Sequence, residues 1–280
     1  MKSSMQTGQQ RDSIDAAVVV RAIDLLPIAG PVTWLPVTAS TNQLALEAAQ
    51  AGAQRGIWVA DEQTAGRGRG GHRWHSTRGD GLYVSVLMTP ELPLERALWL
   101  SLATGLAAQQ AILSATGVRI DLRWPNDLLC GSRKLGGILV ESAVARTPAD
   151  EPAVLRYAVL GVGINVHHRG FPADISAVAT SLHLEGAQDV SRQTLLIALL
   201  RALDREMDEL EREHAGLGSG PGVLARFTAA SSWVKGKRVR VPEDGGYTGV
   251  SAGLDLRGFL LVNDENGVKR TVLSGGVREV

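Results

Sequence analysis

Two runs of strand-forming residues, GIWVADE at 56–62 and GLYVSVLM at 81–88, enclose GRGRGGHRWHS at 66–76, a stretch of four glycines, three arginines and two histidines. This order constrains the fold more than any other feature, because it places a glycine-rich loop between two strands. Gly66, Gly68 and Gly71 satisfy G-x-G-x-x-G, but a dinucleotide site needs a helix whose N-terminus faces the pyrophosphate. Here STRGDGLYVSV follows from Ser76, a turn and then a strand. Gly66 and Gly71 also have P-loop spacing, yet His72 and Arg73 stand at the Lys and Ser/Thr positions. Two readings survive. Glycine amides with Arg67 or Arg69 can wrap a phosphate or carboxylate with no helix behind them, or the stretch is a solvated hairpin tip.

The flanking segments suggest α+β architecture. Ser40, with Gln43 three positions on, predicts an N-capped helix over Ser40–Ala51, stopped by Gly52. Residues 94–115 are apolar almost all round, as in a helix buried against a sheet. From Val118 to Trp124 apolar and charged residues alternate, the pattern of a half-buried strand that Pro125 ends. Strands are predicted at 135–143 and 154–166, joined by the polar hairpin RTPADEP, and a long amphipathic helix at 191–214. After the GLGSGPG run, KRVRVP, YTGVSAGLD, GFLLVND and VKRTVL are four short strands of a small β-barrel. The expected organisation is a polar tail over 1–12, a main domain over 13–230 and a small domain over 231–280.

Of the 280 residues, 44% are hydrophobic and 21% charged, which suits a soluble globular protein burying roughly 70–75% of its unfolded surface. Acidic and basic residues balance at 29 each, so overall charge predicts no nucleic-acid partner, and the loop charge is aimed at a small anion. Cys130 is the single cysteine, which excludes an internal disulfide and a Cys-based zinc cluster and suits a reducing cytoplasm. The start lacks a secretory signal, and no apolar run approaches the ~20 residues of a bilayer span, so no membrane association is expected. Neither His72 with His75 nor His167 with His168 has a third ligand at a recognisable spacing, so no zinc site is expected. DREMDELERE, Asp204 to Glu213, reads as the solvated face of a helix.

Further motifs favour the anion reading of the loop. RWPND at 123–127 puts Asn126 and Asp127 at a strand end, RKLGGILVE at 133–141 delivers Lys134 before a buried strand, and GVGIN at 161–165 ends another strand with Gly161, Gly163 and Asn165. Together with STN at 40–42 and EQTAGRGRGGHRW at 62–74, in this order and spacing, the chain resembles the biotin–protein ligases from about residue 35 to its C-terminus, weakly after 230.

That resemblance implies a catalytic domain like that of class II aminoacyl-tRNA synthetases, a mixed or antiparallel sheet with packed helices, followed by a C-terminal SH3-like barrel. It implies a two-step reaction: biotin and magnesium-ATP give biotinyl-adenylate and pyrophosphate, and a lysine of a biotin carboxyl carrier protein then takes the biotin. Arg69, Lys134 and Asp127 are the implied catalytic residues. Ser40, Thr41, Asn42, Gln63, Gly66, Arg67, Gly68, Arg69, Lys134, Gly137, Gly161 and Gly163 are the implied biotin site, with Arg67 ordering the loop. Arg69, Trp74, Asn126, Lys134 and Asn165 match ATP-binding positions. Asp127 matches either a magnesium ligand or a group that positions the acceptor lysine. Ser40 has a second explanation in its cap, and Trp74 in packing beneath the loop.

Departures from the family pattern are specific. His72 stands where the last loop arginine is expected, with Arg73 after it, and a neutral imidazole cannot replace a guanidinium fork. Arg123 takes the place of a lysine. Some 35 residues precede the first motif, too few for the winged helix-turn-helix of repressor-type members, so a monofunctional enzyme without DNA binding is expected. Edge-to-edge pairing into a homodimer is a family expectation. The rivals are a lipoate or octanoate ligase or transferase of the same fold, against which the complete loop and KLGGILVE argue, and a non-catalytic biotin-binding relative, which would have lost the cations.

Overall fold

The computed structural model describes residues 12–145, 152–243, 245–273 and 276–280, which form two sheets. The first takes β1 (Val32–Leu35), β2 (Gly56–Ala60), β3 (Gly81–Met88), β4 (Asp121–Arg123), β5 (Asp127–Cys130), β6 (Arg133–Val144) and β7 (Leu155–Asn165) in the order β1-β2-β3-β7-β6-β5-β4. β1 and β2 are parallel and every other pair is antiparallel. The second sheet is antiparallel, with β8 (Lys235–Val241), β9 (Tyr247–Leu254), β10 (Leu260–Asp264), β11 (Lys269–Val272) and β12 (Arg278–Glu279) in the order β11-β10-β9-β8-β12. Four of these five strands are the expected ones, and β12 adds a short edge.

Among the described residues five α-helices pack around the sheets: α1 (Ala16–Ile23), α2 (Thr41–Gln50), α3 (Ala97–Thr116), α4 (Arg192–His214) and α5 (Val223–Ala230). α3 has no polar face, so its Trp99, Leu100, Leu102 and Ile112 are buried between the first sheet and α4. The 94–116 segment is in fact long and apolar enough to cross a membrane, contrary to the sequence expectation, but 67% of its apolar window is buried inside the protein. A core helix and a bilayer span share this composition, and packing distinguishes them.

The strand expected over 118–124 forms only at Asp121–Arg123, because it lies at the sheet edge and its one neighbour, β5, pairs with just those three residues. The sequence reading missed α1, β1 and β5, and it took α5 for a short apolar turn. Of the expected tail, Asp12 is described and is held by the Arg192 backbone N–H at 2.5 Å; residues 1–11 and most of the RTPADEP hairpin lie outside the described residues.

The second sheet leans on the first at the β4 end. Trp124 donates its indole N–H to the Gly258 carbonyl at 2.9 Å, Ser231 donates to the Leu122 carbonyl at 2.5 Å, and the Arg123 guanidinium lies over the Trp233 ring at 5.3 Å. Val239, Val241, Leu260 and Val262 continue the main core.

Candidate functional site

Three central strands form the floor of the site. Ser85 of β3, Gly161 of β7 and Leu139 of β6 are directly opposite one another in one cross-strand row; Tyr83, Gly163 and Gly137 form the next row on the same face. The two β7 glycines leave shallow notches in this floor. A Cβ on Gly161 would come within 2.1 Å of Asn42 Oδ1, and one on Gly163 within 2.6 Å of Trp74 Nε1. Both glycines therefore make room for protein side chains.

α2 delivers its N-terminus to this floor. Ser40 caps it in extended backbone, accepting from the Gln43 N–H at 3.4 Å, so Ser40, Thr41 and Asn42 are buried at the start of the helix. Gln63, beyond β2, accepts from the Thr41 N–H at 2.9 Å and from the Thr41 hydroxyl at 3.2 Å. Its amide donates to Ser76 Oγ at 3.1 Å.

The glycine-rich stretch is a small hairpin standing on the floor. Trp74 N–H donates to the Gly66 carbonyl at 2.9 Å, Gly68 N–H donates to the His72 carbonyl at 2.7 Å, and the turn at Arg69–Gly71 needs positive φ at Gly70 and Gly71, 69° and 79°. Gly66 has no room for a side chain: a Cβ there would meet Ser76 Oγ at 2.8 Å. Arg67 ties the hairpin down, donating to Gln43 Oε1 at 3.0 Å with Glu141 Oε2 at 3.7 Å.

These elements line an open pocket. At one end lie Ser40, Thr41, Asn42 and Gln63; in the middle Gly137, Gly161 and Gly163 with the apolar Val84, Ile138, Leu139 and Val162; at the other end Arg67, Gly68, Arg69, Trp74, Asn126 and Lys134. A second pocket opens on the far side of Trp74 and Lys134, lined by Asn165, Arg73 and His75 and by the apolar Phe171, Ile175, Val178 and Ala179. Trp74 and Lys134 are walls of both pockets.

Charge is concentrated at that shared wall. Asp127 receives Lys134 Nζ on Oδ1 and Arg123 on Oδ2, both at 2.5 Å. Burial alone would raise its carboxyl, but the two adjacent cations and their hydrogen bonds outweigh that and hold it below the usual carboxylate range. Burial pulls the Arg69 guanidinium below its usual value, opposed by the negative charges of Glu243 and Asp127. Both Asp127 oxygens are thus committed to cations, and no group of three or more His, Cys, Asp or Glu among the described residues is arranged to hold a metal ion. Asp127 does not fit the magnesium role.

The sequence profile of the Biotin/lipoate A/B protein ligase family matches residues 34–165, and that of the Biotin protein ligase C terminal domain matches residues 235–277. A biotin–[acetyl-CoA-carboxylase] ligase of Mycobacterium tuberculosis is 33% identical over 247 residues, covering 85% of this chain and 85% of that protein. The chain belongs to the biotin protein ligase family. The bifunctional ligase/repressor BirA of Bacillus subtilis is 33% identical over 84% of this chain and 70% of its own length. The biotin protein ligase of Aquifex aeolicus, solved in complex with biotin and ATP, is 28% identical, superposes with a TM-score of 0.72, and covers 89% of this chain and 98% of its own.

In this ligase the first pocket gathers Ser40, Thr41, Asn42, Gln63, Arg67, Gly68, Arg69, Lys134, Gly137, Gly161 and Gly163 from the expected biotin set, while Gly66 supports the hairpin from below. The expected ATP set divides. Trp74 and Lys134 face both pockets, Asn165 faces the second, and Arg69 and Asn126 face the first. Asn165 and Asn126 also spend amide hydrogens on the scaffold, donating to Thr180 and Ile138 carbonyls at 2.9 and 2.8 Å. His72 and Arg73 are both exposed, and Arg73 lines the second pocket.

Sequence reasoning missed Phe171, Ile175, Val178 and Ala179. Their i, i+4, i+7, i+8 spacing was a legible signal of one apolar face in a helical turn. That turn is pinned to the catalytic edge: Lys134 N–H donates to the Val178 carbonyl at 2.7 Å, and Thr180 N–H to the Lys134 carbonyl at 2.9 Å.

Proposed function

We propose that this ligase takes biotin in the first pocket and ATP in the second, and joins them across Trp74 and Lys134. The observation that carries this reading is that Lys134 borders both pockets, so one ammonium group can face a carboxylate on one side and a phosphate on the other. The polar end, Ser40, Thr41, Asn42 and Gln63, suits a cyclic urea with two N–H donors and one carbonyl. The apolar middle suits a thioether ring and an alkyl tail, which leads the carboxylate toward Arg69 and Lys134.

In the first step the biotin carboxylate oxygen attacks the α-phosphorus of ATP, the bond to the β-phosphate bridging oxygen breaks, and pyrophosphate leaves. Arg69 and Lys134 offset the mutual repulsion of two anions and stabilise charge as it grows on the phosphoryl oxygens. Asp127 holds Lys134 in place. Magnesium is delivered with ATP as its phosphate-bound counter-ion. In the second step a lysine amine of a biotin carboxyl carrier domain attacks the acyl carbon, an amide forms and AMP leaves. Arg67 keeps the hairpin closed over the acyl-adenylate. Catalysis takes place in the cytoplasm, within residues 13–230, with 231–280 as a small domain packed against them.

The test supplies purified protein with magnesium-ATP, biotin and a biotin carboxyl carrier domain. Biotin-dependent pyrophosphate release and covalent labelling of the carrier are expected. Release that depends on lipoate or octanoate in place of biotin would overturn the substrate assignment.

A further inference from the structure

Ser85 belongs to no motif, yet it is wholly buried beneath the polar end of the first pocket. Its hydroxyl lies 2.5 Å from Asn42 Oδ1 and 2.8 Å from Thr41 Oγ1. The Thr41 hydroxyl gives its one proton to Gln63 Oε1, so the Ser85 hydroxyl is the donor in this pair of contacts, with Asn42 Oδ1 and Thr41 Oγ1 as its acceptors. At its other end the Asn42 amide donates one N–H to the Leu139 carbonyl at 3.2 Å and the other to Glu141 Oε2 at 3.0 Å. Asn42 therefore lies across the Ser85–Gly161–Leu139 row, over the notch that Gly161 leaves, and bonds to both outer strands.

We infer that Glu141 is a positioning residue that, with the Leu139 carbonyl, fixes the polarity of the Asn42 amide, so that the pocket reads an N–H group on the head of its ligand. A flipped amide would set its carbonyl against the Glu141 carboxylate and the Leu139 carbonyl, which only accept, so that end is repulsive; the Ser85 hydroxyl can turn and serve the amide in either sense. Held in the observed sense, both amide hydrogens are spent on protein acceptors, while Oδ1 keeps one lone pair for a donor in the pocket. A cyclic urea supplies that donor. A dithiolane or an alkyl chain does not, and would leave the buried oxygen short of a partner. Glu141 also faces Arg67 at 3.7 Å, so the residue that orients Asn42 touches the hairpin that closes the pocket.

This inference rests on the proposed reading of the first pocket as a biotin site. The test measures biotin-dependent pyrophosphate exchange for the full chain and for Glu141→Gln, varying biotin and ATP separately. Glu141→Gln offers either a donor or an acceptor to the amide and so frees it to turn, and should raise KM for biotin about tenfold, the size of one buried hydrogen bond, with kcat and KM for ATP unchanged. If Glu141→Gln does not fold, Glu141→Leu removes the acceptor altogether at a side chain that is 29% exposed, and the same one-sided rise is expected. Unchanged KM for biotin, or a parallel rise for biotin and ATP, would overturn the inference while leaving the biotin ligase reading intact. Absence of biotin-dependent exchange in the unmodified protein would instead overturn that reading and this inference with it.

Discussion

His168 carries a pH dependence whose size follows from its surroundings. It is 2% exposed, its ring stacks on Phe171 with centroids 4.9 Å apart and planes 14° from parallel, and neither ring nitrogen has a hydrogen-bond partner. Burial pushes its pKa from the usual 6.5 down to about 4; His75 and His167 add to the depression, and Asp80 opposes it. Between those two pH values the unfolded chain binds a proton that the folded chain refuses, so stability falls as pH falls from 6.5 toward 4. A depression of that size corresponds to about 3 kcal/mol lost by the lower end of the window. His168→Leu keeps an apolar side chain of similar volume against Phe171 and cannot titrate. Urea denaturation of both proteins at steps from pH 7.5 to 4, extrapolated to zero denaturant, isolates this residue, because the acid lability of Asp127 and the other carboxylates is common to both. The unmodified protein should lose about 3 kcal/mol more than His168→Leu over that range. Parallel curves would refute the argument. The same variant should keep its KM for ATP near neutral pH, where His168 is already uncharged.

Two further outcomes follow from the shared wall. Lys134→Ala should lower kcat of the adenylation step by about 10²–10³ while leaving biotin affinity much less changed, because its charge matters most as the phosphoryl charge develops; separate equilibrium binding and single-turnover measurements check this, and equal rates would remove Lys134 from the mechanism. Gly163→Ala puts a methyl group 2.6 Å from Trp74 Nε1, so the indole must move; stability should drop by about 1–3 kcal/mol and KM should rise for both biotin and ATP, read by denaturation and by steady-state kinetics.

Legibility of the fold followed the range of the interactions. The cap at Ser40 and the strand–glycine loop–strand order around Arg67 and Arg69 were readable because they depend on a few adjacent residues. The extent of β4 was not, because an edge strand is only as long as the neighbour that pairs with it. The polar end of the first pocket was legible through Thr41, Asn42 and Gln63, which sit in motifs. Ser85 was not, since a buried serine in a strand looks like any other until its cross-strand partners are known. The second pocket lay in a segment without regular secondary structure, where only the spacing of Phe171, Ile175, Val178 and Ala179 betrayed an apolar face.

By itself the sequence determined where the backbone must turn, cap and extend, and which charged residues sit beside the glycines, because these are matters of local sterics and composition. Tertiary structure decided what those residues do. Asp127 is a holder of Lys134 because β4, β5 and β6 bring Arg123 and Lys134 to its two oxygens. Gly161 and Gly163 are notches for Asn42 and Trp74 because strand register sets them under those side chains. Arg73, and not His72, reaches the second pocket because successive side chains of the extended hairpin point opposite ways. Each of these outcomes joins groups that are distant along the chain or differ only in direction, and sheet register and packing are what select among them.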